Sequence, residues 1–247
     1  MAYDRAFFEQ QREGSLRSAR VVAPIIIDLV KPRSVVDVGC GVGTWLSAFI
    51  EAGVKDVLGL DGAYARESGL VIPDGCFQAA DLAAPLQVGR RFDLAVSVEV
   101  GEHLPRAAAG TLVDSLTRLA PVVVFSAAVP FQGGTDHVNE QWPDFWAALF
   151  RARGYVAVDA LRPRIWQDAA VEVFYRQNLL VFADERELAR NPALAAARAA
   201  TSDRMLSVAH PELFSGRNAY PLGSLRSLWP WIVRRTLSAL KRGLTRS

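Results

Sequence analysis

Residues 35–43 read VVDVGCGVG. Val35, Val36 and Val38 suit a buried strand, and Asp37 stands near its end. Gly39, Gly41 and Gly43 let the backbone pass close to a ligand with no Cβ in the way. A helical stretch, Thr44 to Ala52, starts at this turn, so its free N–H groups and positive dipole end point back at the turn. The dinucleotide fingerprint G-x-G-x-x-G fails here, because Gly39 and Gly41 are followed by Thr44 where the third glycine belongs. The pattern acidic-x-G-x-G-x-G fits, as Asp37, Gly39, Gly41 and Gly43.

Working outward, strands are expected at 33–38, Val54–Leu60, Cys76–Ala79, Phe92–Val98, Val122–Ser126, Tyr155–Ala160 and Val173–Phe182. Helices are expected at 4–13, 16–30 (with Pro24 as a point of kinking), Thr44–Ala52, Leu104–Leu119 and 141–152. Alternation of strands and helices predicts an α/β fold, a doubly wound, mainly parallel seven-stranded sheet of Rossmann-like form. The last two strands would supply an antiparallel edge, and helical additions lie at both ends. The spacing divides the chain into an N-terminal helical lid (1–32), a central domain (33–182), a helical extension and linker (183–224) and a tail (225–247).

Asp61 closes the second strand in GLD, 22 residues after Gly39, where a carboxylate can accept ribose hydroxyls. Asp81, in AADLAAPL, follows the third strand. With FDLAVSVEVGEHL, PVVVFSA and the GY at 154–155, these stretches resemble, in order and spacing over roughly residues 33–182, the class I S-adenosylmethionine-dependent methyltransferases. The resemblance implies that S-adenosyl-L-methionine is held by Asp37, Gly39, Cys40, Gly41, Gly43, Asp61 and Glu99, with Asp81 on the adenine amino group and Leu82 flanking the ring.

Methyl transfer to a hydroxyl requires alignment of the acceptor and removal of its proton. Two segments compete for that work. In Glu99-Val-Gly-Glu102-His103, at the end of the fourth strand, two carboxylates and an imidazole suit a divalent cation such as Mg2+. The E-x-x-E-H pattern is similar to the metal sites of the ubiquinone-pathway O-methyltransferases and the small-RNA 2′-O-methyltransferases. In metal-free relatives the same residues line the cofactor pocket or cap the next helix. The second segment is GGTDHVNEQW, residues 133–142. His137 is a candidate general base, since imidazole titrates near neutrality, or a metal ligand beside His103, or a loop hydrogen-bonder. Glu140 and Glu102 are further catalytic candidates, Glu140 equally a helix-start carboxylate. His210 reads as structural. Tyr3, Phe7, Phe8, Phe131, Trp142, Trp146, Trp166 and Tyr175 are candidate acceptor-pocket aromatics, with Arg176 and Gln177 near the seventh strand.

The chain has 247 residues, 51% of them hydrophobic, enough for one substantial domain without disulfide support. Its two cysteines, Cys40 and Cys76, fit a reducing cytoplasm. Charges in the first residues do not fit a signal peptide, and no apolar run reaches spanning length. Residues 217–247 carry seven cations and no Asp or Glu; against +2 for the whole chain, residues 1–216 carry −5. From Trp229 the tail reads as a basic amphipathic helix, suited to an anionic membrane surface, a protein partner or the chain's own acidic body. The acidic body disfavours nucleic acid. The leading expectation is an O-methyltransferase for a small-molecule or saccharide hydroxyl, glycolipids included. The alternatives are RNA 2′-O-methylation and a non-catalytic cofactor-binding module.

Overall fold

The computed structural model describes the backbone of residues 5–218 and the side chains of residues 13–215. Seven strands form one sheet: β1 (Ser34–Val38), β2 (Asp56–Asp61), β3 (Phe77–Ala79), β4 (Leu94–Val98), β5 (Val122–Ser126), β6 (Tyr155–Val158) and β7 (Leu180–Asp184). Their order is β3-β2-β1-β4-β5-β7-β6. The pairs from β3 to β5 are parallel, and β7 runs antiparallel to both β5 and β6. The order reverses between β1 and β4, and open α/β sheets bind ligands outside the carboxyl ends of the strands at such a point.

Both faces of the sheet are covered, as parallel strands require. Alternation along each strand decides which side chains go where. Val35, Leu94, Val96, Val122, Val124 and Val181 face a layer that includes α1 (Arg5–Val30), α2 (Thr44–Glu51) and α7 (Val173–Asn178). Val36, Val38, Ala95, Val123, Phe125 and Phe182 face α4 (Ala109–Leu119) and α5 (Pro143–Arg151). On that second side the Phe150 and Phe182 rings stack 3.9 Å apart.

Three expectations are corrected. First, the two N-terminal helices are one, α1, and it runs through both Gly14 and Pro24. At Gly14 the Glu172 carboxylate, the movable end of a long side chain, lies close to where a Cβ would be. The described part of this helix is core rather than lid, with Ala19, Val22, Ala23, Ile26 and Leu29 buried. Second, the strand expected over 173–182 is a helix followed by a strand. The aromatic run Val173–Tyr175 favours strand by propensity, but tertiary contacts override it. As a helix, it seats Tyr175 edge-on against Trp45, with ring centroids 5.3 Å apart, and buries Arg176, Gln177 and Asn178 together. Third, the helix from Leu104 starts only at Ala109, after two short 3-10 turns.

The described residues divide into two units between His210 and Pro211, a boundary inside the segment expected to be a single extension and linker. In the first unit, α8 (Glu185–Arg190) and α9 (Pro192–Ala200) follow β7, and Asn191 Nδ2 donates to the Leu29 carbonyl (2.9 Å). In the second, residues Pro211–Asn218 form a helix. Among the described residues no helix is long and apolar enough to cross a membrane. Tyr3, the side chains of Phe7 and Phe8, and the 225–247 tail lie outside the described residues.

Candidate active site

The glycine turn is built as its sequence demands. Gly39, Gly41 and Gly43 have φ of 86°, 52° and 92°, values that L side chains rarely adopt. A Cβ on Gly39 would lie 2.2 Å from Val100 Cγ2, so the β1 and β4 ends touch here. Beside Gly41 no atom lies within 4 Å of the Cβ position, which leaves open space over the turn. Asp61 accepts from Gly41 N–H (2.7 Å) and Gly62 N–H (2.6 Å), and it also accepts from the Tyr64 hydroxyl. Asp37 is buried beneath the turn. Burial, and then the charge of Asp61, push its carboxyl up to about 8. Cys40 is buried, and burial raises its thiol strongly, so it is a packing residue rather than a nucleophile. Asp81 is exposed, its Oδ1 accepting from Ala83 N–H (2.9 Å), and Leu82 packs partly buried against the second core layer.

At the β4 end, Glu99 has φ 55°, a left-handed conformation uncommon outside glycine. Its carboxylate is gripped by amides: Gln132 Nε2 donates to Oε2 (2.8 Å) and Asn178 Nδ2 to Oε1 (3.3 Å). Asn178 Nδ2 also donates to Gln132 Oε1 (2.8 Å), and Gln177 Nε2 to Asn178 Oδ1 (2.9 Å). His210 closes this buried chain, its N–H donating to Gln177 Oε1 (2.7 Å). Burial raises the Glu99 carboxyl, against donors that include Gln132 and Asn178.

Glu102 is fully buried, and neither of its carboxylate oxygens makes a well-formed hydrogen bond, although the backbone of Glu102 and Ala128 and the Glu99 carboxyl lie near enough to influence its titration. Burial, then the charge of Glu99, push it up to about 9. Ligand atoms of Glu102, His103 and His137 lie within 4.8 Å of one another. The expected trio of Glu99, Glu102 and His103 is therefore not the one that converges: His137 takes the third place, while the amides hold Glu99. His103 keeps part of its surface open to solvent, while partial desolvation of its ring, and then the charge of His137, lower its pKa. The two imidazoles meet edge-on, with centroids 4.9 Å apart.

Residues 131–140 form a loop closed by one carboxylate. Glu140 Oε2 accepts from Phe131 N–H (2.8 Å), and Oε1 accepts from Gly133 N–H (2.9 Å) and pairs with His137 Nδ1 (3.0 Å). Burial pushes the Glu140 carboxyl up, but these bonds and the His137 charge outweigh it and hold it below the ordinary range. Glu140 thus stands where it can orient His137, and it lies outside α5, whose N-cap position is Trp142. Val138 and Asn139 N–H donate to the Glu102 carbonyl (2.8 and 3.0 Å), which pins the loop to the β4 end. Gly134 lets the imidazole come close to the backbone: a Cβ there would be 2.3 Å from its Cε1 and Nε2. Phe131 and Val138 on this loop, and Trp142 just after it, are exposed. Trp146 belongs to the core, and Tyr175 is buried against Trp45. Trp166 is half-buried, with its carbonyl bonded to His210 Nε2 (2.8 Å).

Sequence reasoning missed Gln132, Asn178 and Tyr64. A signal existed for Asn178: three polar residues in a row, Arg176-Gln177-Asn178, interrupt an apolar stretch that otherwise reads as a strand.

The profile of a methyltransferase domain matches residues 8–169, more than half of the chain. The chain belongs to that methyltransferase family. Solved structures of similar fold include DesVI from Streptomyces venezuelae (17% identity, TM-score 0.54, 74% of this chain and 100% of that one). Magnesium protoporphyrin IX methyltransferase from Synechocystis, determined with bound SAH, is 19% identical (TM-score 0.53, 74% and 90%). A sugar N-methyltransferase from Streptoalloteichus is 14% identical (TM-score 0.53, 74% and 94%). At such identities the likeness speaks to the fold alone. Among curated proteins, none matches. The protein is an S-adenosylmethionine-dependent methyltransferase, so the reading as a non-catalytic module falls away.

The turn suits that cofactor on its own chemistry. Asp37 and Asp61 are both buried and close enough for the charge of one to raise the other. The Asp61 carboxylate would repel a pyrophosphate, whereas a ligand that carries an ammonium and a sulfonium suits it and also favours ionisation of Asp37. Gly41 leaves the room such a ligand needs.

Proposed function

We propose that this methyltransferase acts on a hydroxyl of a small-molecule or saccharide-type acceptor, glycolipids included, and that His137 receives the hydroxyl proton. The Glu140–His137 pair carries the reading. With Nδ1 committed to Glu140, Nε2 is the nitrogen left for chemistry beside Glu102 and His103. The cofactor supplies an electrophilic methyl group on a sulfonium centre. Asp37 and Asp61 hold the donor end, with Asp61 taking the ribose hydroxyls. Asp81 is placed for the adenine amino group. The contact of Gly39 with Val100 keeps the donor turn and the β4 end adjacent, so donor and acceptor share one mouth. Exposed Phe131 on the His137 loop, and Trp142 just after it, support an acceptor with an apolar ring face. The −5 body weighs against RNA.

A second reading is favoured by the orphaned Glu102 carboxylate: Glu102, His103 and His137 hold a divalent ion. A buried carboxylate without a donor fits a cation, and Glu140 behind His137 fits the partner that orients a metal-bound imidazole. The ion would acidify an acceptor hydroxyl bound to it. Two imidazoles beside one carboxylate suit manganese or zinc as well as magnesium. The readings exclude each other at Nε2, which either takes a proton or binds the ion. A labelled-methyl transfer screen, run with and without exhaustive chelation, decides between them. Activity that survives chelation removes the ion, whereas activity lost and restored by added metal removes His137 as base. The basic amphipathic pattern of 225–247 supports contact with an anionic membrane or a protein partner; anionic vesicles that fail to bind the full chain would remove the membrane form.

A further inference from the structure

We propose that Tyr64 gates the ribose end of the cofactor site, its hydroxyl competing with the ribose diol for the Asp61 carboxylate. The inference rests on the reading that Asp61 takes the ribose hydroxyls.

An ionised carboxylate offers about four lone-pair positions. On Asp61, Gly41 N–H occupies one at Oδ2, and Gly62 N–H and the Tyr64 hydroxyl occupy two at Oδ1. One position remains, and a vicinal diol needs two. The backbone donors cannot withdraw, because they belong to the turns that shape the site. Tyr64 can. It opens a four-residue helix, α3 (Tyr64–Glu67), and is 65% exposed, so its side chain can rotate away into solvent without opening the core. Its resting place is nonetheless built: the ring lies over Gly62, where a Cβ would be 2.2 Å from Tyr64 Cε1. A Cβ at position 62 would force the ring to shift from this place. Burial and the bond to Asp61 raise the phenol pKa, so at neutral pH it is a donor, as the diol would be. With Tyr64 in place, Asp61 is only 4% exposed. Binding of the full diol therefore requires Tyr64 to let go, and the cofactor's apparent affinity is reduced by the fraction of molecules in which it has not.

The test uses the full chain, with S-adenosylhomocysteine and its 2′,3′-dideoxyribose analogue as probes in isothermal titration calorimetry. Tyr64→Phe keeps the ring and removes the competing hydroxyl. It should bind S-adenosylhomocysteine about 3- to 10-fold more tightly than the parent, with no gain for the dideoxy analogue. If Tyr64→Phe binds S-adenosylhomocysteine equally or more weakly while the parent still prefers it to the analogue, the gate is overturned and the ribose reading stands. If the parent binds the two probes alike, the ribose reading falls and the gate with it.

Discussion

The two halves of the active site are built by different means. The donor half, from the glycine turn to Asp61, is made of backbone: positive-φ glycines, N–H groups aimed at one carboxylate, and a helix starting at the turn. Its parts lie within 25 residues of chain. The half proposed for the acceptor is made of side chains gathered from far apart. Glu99 is held by Gln132 and Asn178, 33 and 79 positions away, and Glu102 and His103 meet His137 across the loop after β5. Backbone sites are general to a chemistry, whereas side-chain sites are particular to a substrate. A family can therefore keep the first while exchanging the second.

If the halves are separable, each can be damaged alone. The largest effect is expected from His137→Ala, which should cut turnover about 100- to 10,000-fold and leave S-adenosylhomocysteine binding within about twofold, by calorimetry. A parallel loss of cofactor affinity would show that the halves are one site. Next comes Glu140→Gln. It preserves size but weakens the grip on His137 Nδ1 and on the Phe131 and Gly133 N–H groups, and should cost about 10- to 100-fold in turnover, again at constant cofactor affinity. A wild-type rate would mean that His137 needs no orienting partner.

A third effect belongs to the donor half and is read in stability rather than in turnover. Asp37 holds its proton in the fold to about pH 8, while in the unfolded chain it releases it near pH 4. Between those values the folded state binds more protons than the unfolded one, so this group's contribution is full below about pH 4 and is lost as pH rises toward 8. The urea midpoint of the unliganded protein should accordingly fall from pH 5 to pH 8, and Asp37→Asn should flatten that slope. A slope unchanged in the variant would place the titration elsewhere.

The same division explains what the sequence made legible. The glycine turn and Asp61 could be read because each constraint is local: a positive φ calls for glycine, and a strand-end carboxylate sits at a fixed distance from it. The parallel sheet could be read because Val-rich runs alternate with helical stretches. The segment at 173–178 misled because its helix is imposed from outside, by Trp45 and by the need to bring Asn178 to Glu99. The metal-type trio was read one residue off, because spacing along β4 shows which side chains share a strand end but not which of them amide donors turn aside. His137 and Glu140 both stand out in the sequence, while the bond between them becomes visible only in the closed loop.

That closure has a consequence for how the protein can diverge. One carboxylate ties the start of the 131–140 loop to the imidazole near its end, so the number of residues between them cannot drift freely. An insertion there would either break the clasp or rotate the ring, even if every named residue were kept. Among descendants of this chain, the loop should change in letters long before it changes in length, and a homologue with a longer loop should be expected to have moved its proton acceptor elsewhere.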